Sequence, residues 1–288
     1  MSCGSYAYYP GCSAKATGAP YEQSLLAVAK VLDLDLQEID DWNCCGATAY
    51  FSVREKLAMA ISARNLALAE KMGKDIVAPC SACYLGLDKT NKYLWEHPET
   101  RQHILNALAE AGLTYNGETK VLHALEMFIG EDCLKNVKAR VTRRLTGLKV
   151  AGYVGCQMVR PYGFDDPEYP ESLDTLTAAL GATPVKYPNA ARCCGGSQIM
   201  TNEIVALRMT KNVLLTAVQA GADCIITTCP LCHMNLDMFQ AKVNAEFGTS
   251  FAIPVLYFTQ LMGLAMQVDG LGIEQNIVGP SAGLAAWL

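Results

Sequence analysis

The sequence predicts an α/β protein made of two similar halves, each a small, mostly parallel sheet flanked by helices. Two observations support this prediction: one cysteine pattern occurs twice along the chain, and short β-rich runs alternate with longer helical patterns in both halves. Such alternation is typical of parallel sheets, whose crossover connections are helices. We therefore predict a first domain over residues 1–147 and a second over residues 148–288.

The predicted strands and helices occupy matching places in the two halves. Strands are predicted just before the first cysteine of each pattern and just before each Cys-x-x-Cys motif, over residues 5–9, 75–78, 149–154 and 224–227. Helices are predicted over residues 21–32, 53–72, 170–180 and 203–220. Because ligands of parallel sheets collect beyond the carboxyl ends of the strands, we expect the cysteines of each half to converge there.

Composition narrows the class of protein. The 288 residues are 51% hydrophobic and 18% charged with a net charge of −5, which suits a globular core and gives no basic surface for nucleic acid. The first residues lack the pattern of a secretory signal, so a cytoplasmic location is expected. The apolar stretch over residues 251–268 is interrupted by Pro254, Gln260 and Gly263, and we interpret it as a buried helix, so no transmembrane segment is predicted.

The thirteen cysteines are the most informative feature of the chain. Ten of them form two sets with nearly the same spacing, C-x31-CCG-x33-CxxC and C-x36-CCG-x33-CxxC. The second set lies 144 residues after the first at its leading cysteine and 149 residues after it at the other four, so we place about five extra residues within 165–170. Cysteine clusters in a chain without an export signal favour metal or redox chemistry over disulfide staples.

The adjacent cysteines limit what each set can bind. Neighbouring side chains on a strand point to opposite faces, so each Cys-Cys pair must lie in a turn, for which Gly46 and Gly195 supply the backbone freedom. Five thiolates exceed the four of a tetrahedral zinc site and of an ordinary cubane cluster, which favours an iron–sulfur cluster with an unusual ligand set. Zinc held by four of the five cysteines and disulfide use stay as alternatives. Cys3, Cys133 and Cys224 fall outside the repeat and are predicted to be buried thiols.

This double motif resembles the cysteine-rich CCG domain family over nearly the whole chain, and within it the B-type subunits of heterodisulfide reductases from methanogens. The resemblance implies two non-cubane [4Fe-4S] clusters, and a role in methanogenesis by reduction of the coenzyme M–coenzyme B disulfide to its two thiols. Electrons would come from the ferredoxin-like, C-type iron–sulfur subunit of the same complex, supplied by its A-type flavoprotein subunit. The implied cluster ligands are Cys12, Cys44, Cys45, Cys80 and Cys83 in the first half and Cys156, Cys193, Cys194, Cys229 and Cys232 in the second.

The site hypothesis places the substrate between the two halves, with its S–S bond spanning the clusters. No side chain is predicted to be catalytic by itself; His233, Arg160 and Lys15 are candidate substrate or proton contacts because they lie close to cluster cysteines in sequence, as do Arg192 and Lys186. Each is otherwise an ordinary loop or surface residue. The tyrosines are given no special role, and the tail over residues 270–288 is expected to pack onto a partner.

A second function stays open beside disulfide reduction. The chain has no CxxCxxCxxxCP run, so it lacks a ferredoxin module of its own and must receive electrons from another polypeptide. The alternative is an electron-transfer component of another oxidoreductase, similar to those of succinate:quinone reductase or of lactate or glycolate oxidation complexes.

Overall fold

The computed structural model describes residues 3–47 and 49–288 and contains two four-stranded parallel sheets. Their strand orders are the same, β2-β1-β3-β4 in the first half and β6-β5-β7-β8 in the second. The strands of the first sheet are β1 (Ser5–Tyr8), β2 (Asp35–Glu38), β3 (Ile76–Ala78) and β4 (Val121–His123). Those of the second are β5 (Lys149–Tyr153), β6 (Thr183–Pro184), β7 (Cys224–Thr227) and β8 (Val255–Tyr257). The predicted α/β duplication is confirmed.

Helices connect the strands and cover the sheets. The first half contains α1 (Ala19–Val31), α2 (Ala49–Val53), α3 (Glu55–Lys71), α4 (Ser81–Glu96), α5 (Pro98–Glu110), α6 (Ala124–Ile129) and α7 (Glu131–Arg140). The second contains α8 (Ser172–Ala179), α9 (Glu203–Gln219), α10 (Pro230–Met238), α11 (Gln240–Phe247), α12 (Phe258–Met266) and α13 (Ala282–Ala285). Single 3₁₀ turns begin at Cys12, Gly196 and Ile273.

Central strands are apolar because both faces of each sheet are covered. All three residues of β3 and all four residues of β7 are buried, as expected where helices cover a parallel sheet. The predicted strand runs are confirmed to within one residue, and the predicted helices correspond to α1, α3, α8 and α9. The edge strands β2, β4, β6 and β8 were not predicted, because each is only two to four residues long.

The two halves share a continuous core. Ring stacking joins α1 to the strand end of the second half, where Tyr21 and Tyr257 have centroids 4.4 Å apart. The hydroxyls of Ser24 on α1 and Thr259 on α12 are 2.6 Å apart and fully buried. Every residue of α12 is buried, so the interpretation of residues 251–268 as a buried helix is confirmed for residues 258–266, whereas residues 255–257 form β8. No helix in the described part of the chain is long and apolar enough to cross a membrane.

The expectation about Cys3 and Cys133 is wrong. Cys3 and Cys133 are not separate thiols: they form a disulfide that joins the start of the chain to α7. Only Cys224 fits the prediction of a buried free thiol. The tail packs on its own chain, because Leu271 and Leu284 are buried and the Arg143 guanidinium lies over the Trp287 ring.

The boundary between the predicted domains, at Gly147, lies in the segment that joins α7 to β5 and stays a prediction. The basic stretch over residues 135–149 is helical only to Arg140.

Candidate metal centre

Each cysteine set lies at the carboxyl ends of its sheet, as the parallel topology requires. In both halves the leading cysteine follows the first strand of the sheet, and the Cys-x-x-Cys motif joins the next central strand to a helix. Glycines allow the turns between them. Gly46 and Gly195, which follow the adjacent cysteines, have φ of 78° and 82°, so the predicted turns at both pairs are confirmed.

The sulfurs of the second half form a row of pairwise contacts. The thiol of Cys156 is hydrogen bonded to Cys193, which is bonded in turn to Cys194. The Sγ atoms of Cys194 and Cys232 are 3.4 Å apart, and Cys232 is hydrogen bonded to Cys229. All five predicted ligands of this half are therefore brought together.

The first half repeats this row. Cys44 is hydrogen bonded to Cys45, Cys45 to Cys83, and Cys83 to Cys80. The remaining member, Cys12, is exposed and acts on Cys44 through its charge. The mouth of this site is open to solvent, since Cys44 is exposed as well, whereas Cys156 and Cys193 of the second half are partly covered.

The two rows meet in the core. The Cys80 thiol of the first half interacts electrostatically with Cys229 of the second, and both residues are buried. Nine sulfurs thus form one continuous series of contacts across the boundary between the halves. The spacing of the motifs predicted the grouping of cysteines within each half, but it contains no information on which cysteines meet between halves.

Hydrogen bonding separates these thiols into donors and acceptors. The pKa of Cys193 is lowered to about 2 because it accepts from Cys156 and from Cys194, while the bond to Cys193 and burial raise the pKa of Cys156. In the same way the pKa of Cys45 is lowered by its bonds to Cys44 and Cys83, and that of Cys229 by its bonds to Cys232 and Cys80. Thiolates are the form that binds metal, so Cys45, Cys193 and Cys229 are the members of the rows whose surroundings favour that form.

Two tyrosines hold the adjacent cysteines and were missed by the sequence analysis. Tyr9 stands three residues before Cys12, and its hydroxyl donates to the carbonyl of Asn43 over 2.7 Å. Tyr153 stands three residues before Cys156 and donates to the carbonyl of Arg192 over 2.6 Å. Each accepting carbonyl belongs to the residue just before a Cys-Cys pair. The repeated Tyr-x-x-Cys spacing was the signal that could have revealed these tyrosines.

Further hydrogen bonds fix the second cysteine of each pair. The carbonyl of Cys45 accepts from the hydroxyl of Ser62 over 2.7 Å, and that of Cys194 accepts from Thr210 and Asn235 over 3.0 and 2.9 Å. The amide of Gly196 also donates to the Sγ of Cys194 over 3.3 Å. Such contacts to sulfur orient thiolate ligands and adjust the electron density of a bound metal.

The other candidate residues have partners of their own. His233 is buried, its Nε2 lies 3.0 Å from the carbonyl of Val255, and burial lowers its pKa to about 4. It is therefore neutral near pH 7. Lys15 lies 3.4 Å from Glu22 and is half-exposed.

The three second-half cations lie around one loop. Arg160 donates to the carbonyls of Ala191 and Pro167 and pairs with Glu168, which ties down the loop where the extra residues of the second half were placed. Arg192 and Lys186 line a cavity of about 630 Å³ at this loop and pair with carboxylates, Arg192 with Glu168 and Lys186 with Asp174.

The arrangement fits a sulfur-ligated cluster in each half. The donors are thiols and thiolates that contact one another in pairs, and a multi-iron cluster takes sulfur ligands on different irons. Among residues 3–47 and 49–288, no three His, Cys, Asp or Glu side chains are arranged to hold a single metal ion. Chemically, a pair of such clusters a short distance apart supplies one-electron steps to a substrate that needs two.

Comparison with known proteins agrees with the repeat. The cysteine-rich domain family CCG matches residues 6–88 and 150–237. The 8-methylmenaquinol:fumarate reductase membrane anchor subunit of Wolinella succinogenes is 33% identical, over 95% of this chain and 96% of that protein. The B-type subunit of a ferredoxin/F420H2-dependent CoB-CoM heterodisulfide reductase of Methanosarcina acetivorans is 34% identical, over 94% of this chain and 92% of that protein.

A solved structure shows the same fold. A hypothetical protein from Helicobacter pylori superposes with a TM-score of 0.74 at 16% identity and covers 96% of this chain, which spans 52% of that protein. Two family matches, one in each half, coincide with the two cysteine sets and the two sheets described above. The chain belongs to the cysteine-rich CCG domain family, as a member with two repeats similar to the B-type subunits of heterodisulfide reductases.

Proposed function

We propose that this protein is the catalytic iron–sulfur subunit of a heterodisulfide reductase, which reduces the coenzyme M–coenzyme B disulfide to its two thiols in methanogenesis. The single observation that supports this most is the contact between Cys80 and Cys229, because it brings the two cysteine sets together at one place. A disulfide has two sulfur atoms to be reduced, and two adjacent redox groups suit that requirement.

In this proposal each half holds one non-cubane [4Fe-4S] cluster. The first is bound by Cys12, Cys44, Cys45, Cys80 and Cys83, and the second by Cys156, Cys193, Cys194, Cys229 and Cys232. When bound, the clusters supply electrons one at a time and an iron atom with affinity for sulfur. Tyr9 and Tyr153 keep the Cys-Cys turns in place, and the continuous core around Tyr21 keeps the two halves at a fixed separation.

The reaction balances with two electrons and two protons. The S–S bond breaks, both sulfurs are reduced, and each leaves as a thiol after it takes up one proton. His233 is not the proton donor near pH 7, because burial keeps its imidazole neutral. The electrons come from the reduced ferredoxin-like, C-type iron–sulfur subunit, itself supplied by the A-type flavoprotein subunit, and a cytoplasmic location is part of the same proposal.

A second candidate follows from the relative in Wolinella succinogenes, whose name assigns it to an 8-methylmenaquinol:fumarate reductase as the membrane anchor subunit. In that case this chain passes electrons from a quinol instead of reducing a disulfide. The apolar helix α12 is buried throughout and is therefore not a membrane-docking helix.

The test is to purify the protein under anaerobic conditions, alone for the measurement of iron, sulfide and zinc and with its partner subunits for the measurement of turnover. About eight irons per chain are expected for two four-iron clusters, together with reduction of the mixed disulfide by a reduced dye. Replacing Cys44 and Cys45, or Cys193 and Cys194, with serine should abolish two-electron turnover. Zinc alone would overturn the cluster assignment, and oxidation of a quinol without disulfide reduction would support the second candidate.

A further inference from the structure

The boundary between the halves contains two clefts that are equivalent by the duplication. The first, which we name the Lys89 cleft, has about 170 Å³ and is lined by Ala47, Leu85 and Lys89 of the first half and by Gln157 and Pro161 of the second. The second, the Asp237 cleft, has about 220 Å³ and is lined by Thr17 of the first half and by His233, Met234, Asp237 and Met238 of the second.

The equivalence is visible residue by residue. Leu85 and Lys89 on α4 stand where Met234 and Met238 stand on α10, since each pair lies two and six residues after the last cysteine of its set. Pro161 and Thr17 match in the same way, because each lies five residues after the leading cysteine of its set. The two clefts are therefore copies of one ancestral site that have diverged.

Each cleft lies beside cluster ligands. Ala47 and Gln157 of the Lys89 cleft come two residues after Cys45 and one residue after Cys156, so this cleft borders both cysteine sets. The Asp237 cleft reaches Cys232 through the neighbouring His233. By position alone, either cleft gives a substrate access to the two cysteine sets.

Charge distinguishes the clefts. The Lys89 cleft has an ammonium group where the Asp237 cleft has the thioether of Met238. Among its described lining residues the Asp237 cleft has no lysine or arginine, and it has the buried carboxylate of Asp237. An anionic group is attracted to the first cleft and repelled by the second.

Residues of the C-terminal tail form one wall of the second cleft. Residues 275–277 line it, and the carboxylate of Asp237 accepts from the amides of Ile277 and Val278 over 2.6 and 3.0 Å. The side chain of Asn276 donates to the carbonyl of Val255 over 3.0 Å. The tail is thus held in place from both directions, and no equivalent segment is found among the described residues that line the Lys89 cleft.

Lys89 is held in place by its neighbours and keeps hydrogen-bond donors for a ligand. Its Nζ lies 2.8 Å from the Glu55 carboxylate and 5.3 Å from the centre of the Phe51 ring. Glu55 is half-exposed, and an ion pair of this kind contributes little to stability. Because an ammonium has three N–H donors, Lys89 can keep Glu55 and still donate to an incoming anion.

We propose that the Lys89 cleft binds the anionic arm of the disulfide substrate and that the Asp237 cleft, whose described lining has a carboxylate and no lysine or arginine, binds none. The ligand class is an alkyl disulfide that carries a sulfonate, phosphate or carboxylate on its arm. The proposal rests on the proposed disulfide reduction for the identity of the ligand. It goes further in assigning one side of the boundary and one cation to substrate recognition.

The test measures binding to the assembled complex without turnover. Two probes of similar size are compared, the anionic bis(2-sulfoethyl) disulfide and the neutral bis(2-hydroxyethyl) disulfide. Lys89→Met, which copies the residue of the other cleft, should weaken binding of the anionic probe about tenfold and change binding of the neutral probe less than about twofold. Lys89→Arg should restore most of the affinity for the anionic probe, since it restores the charge.

Two further variants serve as controls. Lys56→Met removes the same charge from an exposed position next to Glu55 and should leave binding of both probes unchanged. Met238→Lys adds the missing charge to the Asp237 cleft; one anionic probe per chain is still expected, because the neighbouring Asp237 carboxylate offsets that charge.

An equal loss for both probes in Lys89→Met, no loss for either, or a second bound probe in Met238→Lys would overturn the proposal. Lack of disulfide reduction by the unchanged complex would count against the proposed function alone, because binding is measured separately.

Discussion

Cys80 and Cys229, which follow equivalent strands of the two sheets, interact electrostatically with each other across the boundary between the halves. The hydroxyl of Tyr21 lies just beneath this contact. It donates to the carbonyl of Pro79 over 2.9 Å and approaches that of Thr228 at 3.3 Å, and these are the residues before the two cysteines. One buried side chain therefore connects the backbone of both cysteine sets and sets the distance between them.

Tyr21→Phe removes this hydroxyl and leaves the ring in place. The two carbonyls lose a shared donor, so we expect the free energy of unfolding to fall by about 1–2 kcal/mol. We also expect a changed magnetic interaction between the two reduced clusters in electron paramagnetic resonance, at unchanged iron content. Tyr169→Phe, at a position that is 82% exposed, is the control. A spectrum identical to that of the unchanged protein would show that Tyr21 does not set the spacing.

Tyr9 and Tyr153 allow a test in which each half controls for the other. Phenylalanine at either position removes the hydrogen bond that holds one Cys-Cys turn, at a cost of about 1 kcal/mol. Tyr9→Phe should speed the loss of iron to a chelator from the first cluster only, and Tyr153→Phe from the second only. The measurement is the time course of iron release, with about half of the iron affected in each variant. Release from both clusters in a single variant would mean that these tyrosines support the whole fold instead.

The grouping of ten cysteines could be predicted because the spacing between them is read directly from the sequence. Periodicity identified α3 and α9, since long helices with a buried face leave a clear pattern. The contact of Cys80 with Cys229 could not be predicted from the sequence, because it depends on how the two halves pack. The disulfide of Cys3 with Cys133 was missed for a similar reason: its partners are 130 residues apart and belong to no repeat. The role of Tyr9 and Tyr153 could have been predicted, since each lies at the same position relative to the leading cysteine of its set.

The disulfide should stabilise the fold by closing a long loop. A cross-link over 130 residues is expected to contribute roughly 2–4 kcal/mol by restricting the unfolded chain. Cys3→Ser and Cys133→Ser should each lower the free energy of unfolding by such an amount, and the double variant by no more than one of them, because either change removes the same bond. Urea unfolding measures the effect.

Counting thiols tests the bond itself. Eleven of the thirteen cysteines are free, so denatured, metal-free protein should react with eleven equivalents of an alkylating agent before reduction and thirteen after it. Thirteen before reduction would exclude the disulfide and would leave the serine variants without the expected effect.

Glu126 and Gln260 make the same contact in the two halves and differ in charge. Each stands at the third position of a helix and accepts from the backbone amide at its start, Glu126 from His123 and Gln260 from Tyr257. Burial raises the pKa of Glu126 from 4.5 to about 7, helped by the nearby charge of Asp88. The second half keeps the hydrogen bond without this cost, because an amide carries no charge.

The raised pKa predicts a pH dependence with a definite sign. Between pH 4.5 and 7 the folded chain holds a proton on Glu126 that the unfolded chain has released, so this group's contribution to stability falls as the pH rises through that window. Glu126→Gln should therefore equal the unchanged protein near pH 5 and exceed it near pH 8, by about 1 kcal/mol after allowance for partial exposure. Urea unfolding at the two pH values measures the difference, and Glu110→Gln, at an exposed position, should show none.

Buried His123, whose pKa is lowered to about 4, acts in the opposite direction between pH 4 and 6.5 and is present in both proteins, so it cancels from the comparison. Equal stability at pH 8 would mean that the Glu126 carboxylate is hydrated when it ionises.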